Sequence, residues 1–495
     1  MFRKTFHFFG VGLLLGFGFA LPVEADDIAL ERPGFALTTL DGSGNVGQYS
    51  SVAIGADGLA LISYYDATNG DLKVAHCSNV TCTAATLSTV DSVGSVGQYS
   101  SVTIGADGLA LISYYDSTDQ VLKLALCPDL ACTSATFTNT PDRTGNVGQY
   151  SSVTIGTDGL ALISYYDATN GDLKVAHCFD SSDSICTTAT RTTLQSEGNV
   201  GQFTALTIGT DGLALISYYD ATNGDLKVAH CSDAACTSAT LTALDGAANN
   251  VGAPSSMIIG TDGRSLISYF DKTNGDLKVA HCSDVACTSA TRATVDGTAD
   301  IVGAPSSMIM GADSRGFISY YDETNGDLKV AHCSNVGCTA ATLSTVDSAG
   351  SVGQYSSVTI GADGRGLISY FNATTGDLKV AHCSNVVCTA ATLSMVDSAG
   401  SVGQYSSVTI GADGLALISY YDETNGDLKV AHCSNVGCTA ATLSTVDSAG
   451  SVGQYSSVTI GADGLALISY YDETNGDLKV AHCSNLFCVP YHRRR

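Results

Sequence analysis

The stretch from Ser401 to Gly450 reads SVGQYSSVTIGADGLALISYYDETNGDLKVAHCSNVGCTAATLSTVDSAG and is one unit of a repeat. The first cysteine of the unit returns every 50 to 53 residues along the chain. A fixed period of this length indicates a repeat architecture, in which each unit packs against its neighbours. The nine first cysteines are Cys77, Cys127, Cys178, Cys231, Cys282, Cys333, Cys383, Cys433 and Cys483.

Each unit contains four short segments with the pattern of β-strands, separated by turn residues. In the first copy these segments are residues 51–54, 59–65, 72–77 and 82–90. Glycines at 55 and 58 permit a tight reversal after the first segment. Asn69-Gly70 follows the second segment, and Asn-Gly is the strongest short-range signal for a hairpin. The unit therefore predicts a four-stranded antiparallel sheet.

Four antiparallel strands in about 50 residues, repeated, are typical of a β-propeller blade. The ninth copy stops before a full fourth strand, while residues 35–41, FALTTLD, align with residues 441–447, ATLSTVD. We therefore predict an all-β fold, a single propeller of about nine four-stranded blades, closed by an N-terminal strand that completes the last blade. Ser51, Val52 and their equivalents would then line a wide central channel.

Nine blades exceed the usual four to eight, which leaves two alternatives open. One alternative is an open or superhelical stack of the same sheets. The other is a ring that leaves one copy out.

The N-terminus has the features of a secretory signal peptide. Residues 1–25 contain Arg3 and Lys4, an apolar run over 8–21, and Val23-Glu24-Ala25. The run is shorter than a membrane span of about 20 residues, although a retained anchor is the alternative. Residues 26–34 form an N-terminal segment, 35–488 the nine-repeat propeller and 489–495 a short basic tail. We predict a secreted, extracellular or periplasmic monomer without a membrane span after cleavage.

The charge of the chain excludes some partners. Its formal net charge is −26, from 22 Lys and Arg against 48 Asp and Glu. Nucleic-acid binding depends on clustered basic residues, so we expect no nucleic-acid partner. Neutral sugars, basic partners and divalent cations remain compatible with this charge.

The chain has 18 cysteines, two in each repeat, and in most repeats the two are spaced as Cys-x4-Cys. An even count in an exported chain predicts disulfides. Zinc is the alternative, because His precedes the first cysteine in most copies. The second copy is evidence against zinc, because Leu126 replaces the histidine that would be a ligand. The predicted pairs are Cys77 with Cys82, Cys127 with Cys132, Cys178 with Cys186, Cys231 with Cys236, Cys282 with Cys287, Cys333 with Cys338, Cys383 with Cys388, Cys433 with Cys438, and Cys483 with Cys488.

Two phrases carry a resemblance to a known group. They are DGLALISYYD at 57–66 and GDLKVAHC at 70–77. These phrases resemble the tandem repeats of secreted bacterial propellers that are grouped with sialidase-like or Asp-box proteins. The resemblance covers residues 35–488 and implies the propeller fold. Residues 68–72 lack the serine spacing and closing aromatic of an Asp box, and the chain has no Trp. Sialidase chemistry therefore does not follow from the resemblance.

Two connections of each unit should emerge on one face of the ring, residues 66–71 and the link between units. Such a face would show Asp, Asn, Gln and Tyr nine times. Planar aromatic and amide or carboxylate groups suit neutral sugars, so we predict a multivalent binding module for glycans or cell-surface partners. The candidate residues are Tyr49, Asp66, Asn69, Asp71, Tyr405, Asp422, Asn425 and Asp427. The structural alternative is that Asp66 and Asn69 cap the hairpin and the tyrosines pack between blades.

Calcium is a weak option at the same turn. Residues 66–71 supply oxygen ligands but lack the order of a dedicated calcium loop. No other cofactor is predicted.

A catalytic site usually brings several different side chains together at one place in the protein. Here almost every polar residue recurs in each copy. This favours a non-enzymatic function. Three copies differ, with Arg264, Arg315 and Arg365 at a position where the others have Leu. They are a candidate carboxylate clamp, which would suit a sialidase-like glycoside hydrolase. The alternative is surface arginine, since this turn belongs to the opposite face. A third hypothesis is a structural envelope or matrix protein.

Overall fold

A computed structural model describes residues 35–488 except 42–44, 79–83, 106, 138–141, 179–188, 247–249, 298–299, 462, 476 and 487. The predicted signal peptide, the 26–34 segment, the 489–495 tail, Cys82 and Cys186 lie outside the described residues. The described chain forms nine four-stranded antiparallel sheets, each a blade of one propeller. It contains no helix long and apolar enough to cross a bilayer.

In each blade the chain runs from an inner strand through a second and a third strand to an outer strand. The inner strands are β2 Val46–Ile54, β6 Val96–Ile104, β10 Val147–Ile155, β14 Val200–Ile208, β18 Val251–Ile259, β22 Val302–Met310, β26 Val352–Ile360, β30 Val402–Ile410 and β34 Val452–Ile460. The second strands are β3 Ala60–Asp66, β7 Ala110–Asp116, β11 Ala161–Asp167, β15 Ala214–Asp220, β19 Ser265–Asp271, β23 Gly316–Asp322, β27 Gly366–Asn372, β31 Ala416–Asp422 and β35 Ala466–Asp472.

The third strands are β4 Asp71–Cys77, β8 Val121–Leu126, β12 Asp172–Cys178, β16 Asp225–Cys231, β20 Asp276–Cys282, β24 Asp327–Cys333, β28 Asp377–Cys383, β32 Asp427–Cys433 and β36 Asp477–Cys483. The outer strands of blades one to eight are β5 Ala85–Asp91, β9 Thr136–Phe137, β13 Ala189–Gln195, β17 Ala239–Asp245, β21 Ala290–Asp296, β25 Ala341–Asp347, β29 Ala391–Asp397 and β33 Ala441–Asp447. The outer strand of blade nine is β1 Phe35–Asp41.

Strand β1 closes the ring, as the sequence predicted. It pairs antiparallel with β36, from Phe35 opposite Cys483 to Asp41 opposite Leu478. One hydrophobic cluster then joins Leu467 and Val480 of blade nine to Ile62 of blade one. The open stack is therefore wrong, and so is a ring that omits a copy.

The core consists of such clusters, one between each pair of neighbouring blades. The second strand is covered on both faces, and residues 60–66 are all buried. This explains why its sequence, ALISYYD, is apolar at successive positions rather than at alternate ones. The outer strand has one covered face, and its buried and exposed residues largely alternate.

Two strand boundaries differ from the sequence prediction. The inner strand begins at Val46, so Tyr49 lies within it rather than in the connection between blades. The outer strand begins at Ala85, which pairs with Cys77. The second cysteine of a repeat therefore precedes the outer strand, and the disulfide closes the loop instead of joining two strand partners. The reason is a turn that places this cysteine at positive φ, 51° in Cys132.

Seven of the predicted disulfides lie in the described residues, with Cα–Cα distances of 4.6 to 4.8 Å. Cys77 and Cys178 are also disulfide-bonded. The zinc alternative is therefore wrong for these cysteines.

Candidate functional site

The turn after the second strand and the link between blades lie on one face of the ring, which we call the turn face. The Val96 N–H donates to the Gly70 carbonyl at 2.7 Å. The Ser95 N–H, in the link from blade one to blade two, donates to Thr118 Oγ1 at 2.7 Å. These bonds hold each link against the turns of the two blades that it joins. The candidate binding residues therefore share one face.

Asp66 and Asp422 are buried within their turns. The Thr68 and Asn69 N–H groups each donate to Asp66 Oδ1 at 3.0 Å. Asn69 Nδ2 donates to Asp66 Oδ2 at 2.9 Å, and the Asn425–Asp422 pair repeats this at 3.0 Å. Both aspartates are at most 1% exposed. Their carboxylates hold the turn and are not available to a ligand. Asn69 and Asn425 are exposed, although each is bonded to the aspartate of its turn.

Asp71 and Asp427 begin the third strands and are half-buried. Asp71 lies directly opposite Asp66 across the hairpin. Burial raises the pKa of Asp71, and the nearby Asp66 carboxylate raises it further. The same causes raise the pKa of Asp427. Within the described residues, no three His, Cys, Asp or Glu side chains gather around a position for a metal ion.

Tyr49 and Tyr405 belong to a row of aromatic side chains on the inner strands, which we call the collar. Its members are Tyr49, Tyr99, Tyr150, Phe203, Tyr355, Tyr405 and Tyr455, all at φ between 51° and 55°. Neighbouring inner strands are bonded to each other, as where Ser100 Oγ donates to the Tyr49 carbonyl at 2.7 Å. The rings of adjacent blades therefore touch, and their centroids lie 4.7 to 5.3 Å apart.

The collar is broken in blades five and six, where Pro254 and Pro305 replace the aromatic residue. Proline fixes φ near about −65° and cannot adopt the positive φ of the other blades. The described ring contacts run from Tyr49 to Phe203 and from Tyr355 to Tyr455. The residues that end these two runs are the most exposed, from 40% for Tyr355 to 67% for Tyr455.

Hydrogen-bonded side chains lie next to the collar residues in the sequence. Gln404, which precedes Tyr405, donates from Nε2 to Glu423 Oε2 at 2.8 Å, and Ser401 Oγ donates to the same oxygen at 2.8 Å. In blade three Gln149 Nε2 donates to Asn146 Oδ1 at 3.3 Å. Burial, together with Tyr455 and Tyr355, raises the pKa of Tyr405 to about 12. Hydrogen bonds with Tyr455 and Tyr355 contribute to this shift, so the Tyr405 hydroxyl is hydrogen-bonded within the collar.

The interfaces between blades contain a buried polar network that the sequence did not predict. Asp91, at the end of the outer strand of blade one, accepts from Tyr114 Oη at 2.8 Å in blade two. Lys123 Nζ of blade two also lies 2.8 Å from Asp91. The signal was present, because Lys recurs at the third position of the third strand and Asp at the end of the outer strand. These groups are structural, since they are buried between sheets.

The histidines lie on the opposite face. His76 Nε2 is 3.0 Å from Asp57 Oδ2, in the turn between the inner and second strands. This pair ties the turn to the third strand of the same blade, and equivalent His–Asp pairs recur in other blades. Burial lowers the pKa of His332 and of His482, although the neighbouring Asp carboxylates oppose the shift.

Arg264, Arg315 and Arg365 also lie on the opposite face, each in the turn of its own blade. Arg315 Nε is 3.8 Å from Asp313 Oδ2, and Arg365 Nε is 3.7 Å from Asp363 Oδ2. The side chains of Arg315 and Arg365 are 43% and 44% exposed. Arg315 and Arg365 are therefore surface groups, each beside a carboxylate of its own turn.

The sequence matches no family model and no curated protein. Solved structures match this chain only at low sequence identity and with TM-scores below 0.5. Dihydro-heme d1 dehydrogenase NirN is 12% identical with a TM-score of 0.44, covering 83% of this chain and 75% of its own. A protein of unknown function from Dyadobacter fermentans is 12% identical with a TM-score of 0.35, covering 60% of this chain and 96% of its own.

A structure from an analysis of two prolyl endopeptidases is 10% identical, with a TM-score of 0.40. The match covers 78% of this chain and 55% of that protein. Likeness at this level transfers no activity, substrate or partner to this chain. The chain is a nine-bladed, disulfide-bonded β-propeller, and its function must be argued from its own residues.

Proposed function

We propose that this chain is a secreted, non-enzymatic binding module for neutral glycans, or for surface molecules that carry them. The observation that supports the proposal is the collar, where seven aromatic side chains gather on the turn face. Soluble proteins rarely expose contiguous apolar groups of this kind unless they bind a partner. An aromatic ring can pack against the C–H groups on one side of a sugar ring.

The polar groups beside the collar suit the hydroxyl groups of a sugar. Ligand sites usually combine apolar walls with a few placed polar groups that fix orientation. Gln404 and Glu423 supply an amide and a carboxylate next to Tyr405. Tyr65 Oη and Ser95 Oγ lie 2.8 Å apart at the junction of blades one and two, and Tyr421 Oη and Ser451 Oγ lie 2.9 Å apart at the junction of blades eight and nine. A sugar hydroxyl can both donate to and accept from such groups.

The absence of an enzymatic role in this proposal rests on the repetition of the polar groups. The described aspartates and tyrosines with shifted pKa values mostly lie in turns or between blades, where they recur from copy to copy. Export is supported by the seven described disulfides, which form and persist in oxidising compartments. The sequence of residues 1–25 adds to this support.

The test is to screen the full mature chain against an array of neutral oligosaccharides and then to compare two variants. We expect Tyr405→Asn to weaken glycan binding, because it removes a ring while keeping a residue that tolerates a φ of 52°. Leu443→Ala is the matched control, since Leu443 is 40% exposed but lies on an outer strand. If the native chain binds no neutral glycan, the proposal is wrong.

A further inference from the structure

Resting on the proposed function, we infer that the collar binds one curved, neutral glycan chain along each run of touching rings, rather than one sugar in each blade. The two runs are Tyr49 to Phe203 and Tyr355 to Tyr455. The nine-fold repeat alone would favour many equivalent weak sites. The geometry of the rings instead favours binding sites that several neighbouring rings share.

The first argument is the spacing of the rings. The centroids of Tyr405 and Tyr455 are 4.7 Å apart, and those of Tyr99 and Tyr150 are 5.3 Å apart. At this separation neighbouring rings pack against each other, so each inner ring presents an edge rather than a face, and a bound chain of sugars would contact the edges of successive rings in one run. No room is left between neighbouring aromatic rings for separate pockets.

The second argument is exposure. Tyr99, Tyr150 and Tyr405 each have an aromatic neighbour on both sides and are half-buried. Phe203, at the end of its run, has one such neighbour and is 46% exposed. The exposed surface of a run is therefore one continuous strip, and its inner members have lost part of their surface to each other.

The third argument is curvature. Successive ring planes are inclined by 43° to 49°. This matches the rotation of about 40° between neighbouring blades in a ring of nine. A flat ribbon of sugars, as in a β-1,4-linked glucan, can contact only a short part of a row that turns by this angle at each ring. A chain that turns at every residue, as in an α-1,4-linked glucan, can follow the whole row.

The polar surroundings favour an uncharged ligand. Glu423 and Glu473 lie beside the second run, each bonded to a glutamine amide at 2.8 Å. These carboxylates would repel an acidic sugar but accept hydrogen bonds from neutral hydroxyl groups.

Calorimetric titration of the full mature chain with maltoheptaose and with cellohexaose tests the inference. We expect maltoheptaose to bind more tightly, with one or two molecules per chain. A stoichiometry near seven would overturn the inference, and so would tighter binding of cellohexaose. If neither these sugars nor any other neutral glycan binds, the proposed function itself fails.

Three variants separate shared sites from independent ones. Tyr99→Asn interrupts the first run, so the affinity of that run should fall by about tenfold while the stoichiometry stays the same. Independent sites would instead lose one site and keep their affinity. Tyr99→Phe keeps the ring and should retain most of the affinity, since Phe203 occupies this position in blade four. Leu87→Ala, on an outer strand and 41% exposed when native, is the control for unrelated surface changes.

Discussion

At the scale of single residues, the aspartate at the end of each outer strand fixes how two blades meet. Asp397 of blade seven accepts a hydrogen bond from Tyr420 Oη of blade eight at 2.8 Å and pairs with Lys429. Burial alone would raise the pKa of Asp397. The hydrogen bonds from Lys429, the Ala399 N–H and Tyr420 outweigh that effect and hold the pKa below its ordinary value. The ionised carboxylate is therefore part of the folded structure.

We predict that Asp397→Ala lowers the free energy of unfolding by about 3 to 5 kcal/mol, because it leaves Lys429 without its partner across the interface. Asp397→Gln should cost less, since Gln195 takes this place in blade three and accepts from Tyr218 Oη at 2.5 Å. Urea unfolding at neutral pH measures both. Equal losses for the two variants would contradict this account.

The native chain and the Asp397→Gln variant should also differ in how their stability responds to acid. Because the folded pKa of Asp397 lies below the unfolded value of about 3.9, its contribution is present above that pH and is lost as the pH falls through the folded pKa. The difference in stability between the native chain and Asp397→Gln should therefore shrink below about pH 4.

At the scale of the element, a disulfide holds the loop that follows the third strand, as blade eight shows. Cys433 ends β32 and Cys438 lies in a turn at a φ of 50°, with a Cα–Cα distance of 4.8 Å. The closed loop contains six residues including the two cysteines, so the bond removes little conformational freedom from the unfolded chain. It stabilises one loop locally and leaves the order of the strands to the hydrophobic interfaces.

We predict that the double variant Cys433→Ser and Cys438→Ser lowers the free energy of unfolding by about 2 kcal/mol, as expected for so short a loop. Thermal unfolding of the variant beside the native chain measures this change. Hydrogen exchange should rise in residues 434–440 and stay unchanged in blade two. Loss of the whole fold in this variant would show that the bond does more than close a loop.

At the scale of the whole molecule, the ring depends on one strand that comes from the far end of the chain. Strand β1 supplies Leu40 to the seam between blades nine and one. It also supplies Asp41, which accepts from Tyr64 Oη at 2.8 Å and pairs with Lys73. The seam therefore repeats the packing and the polar network found between other blades.

We predict that a chain beginning at residue 42 loses ring closure, because blade nine would present an unpaired edge at β36. A chain beginning at residue 35 is the matched control. Hydrogen exchange should increase in residues 478–483 and in blade one of the shorter chain, while blade five keeps its protection. Small-angle scattering should show a larger radius of gyration. Identical behaviour of the two chains would rule out the closing role of β1.

The sequence alone determined the period, the four strands of each blade, the cysteine pairs and the strand that closes the ring. These features depend on local patterns, such as Asn69-Gly70 in a turn and the match of residues 35–41 to 441–447. Only the tertiary structure decided that Asp66 is buried, that Asp91 meets Tyr114 of the next blade, and that seven aromatic rings form a collar. The reason is physical, because such contacts depend on the angle between blades and on the positive φ of Tyr49 and its equivalents, which no periodic pattern of apolar residues records.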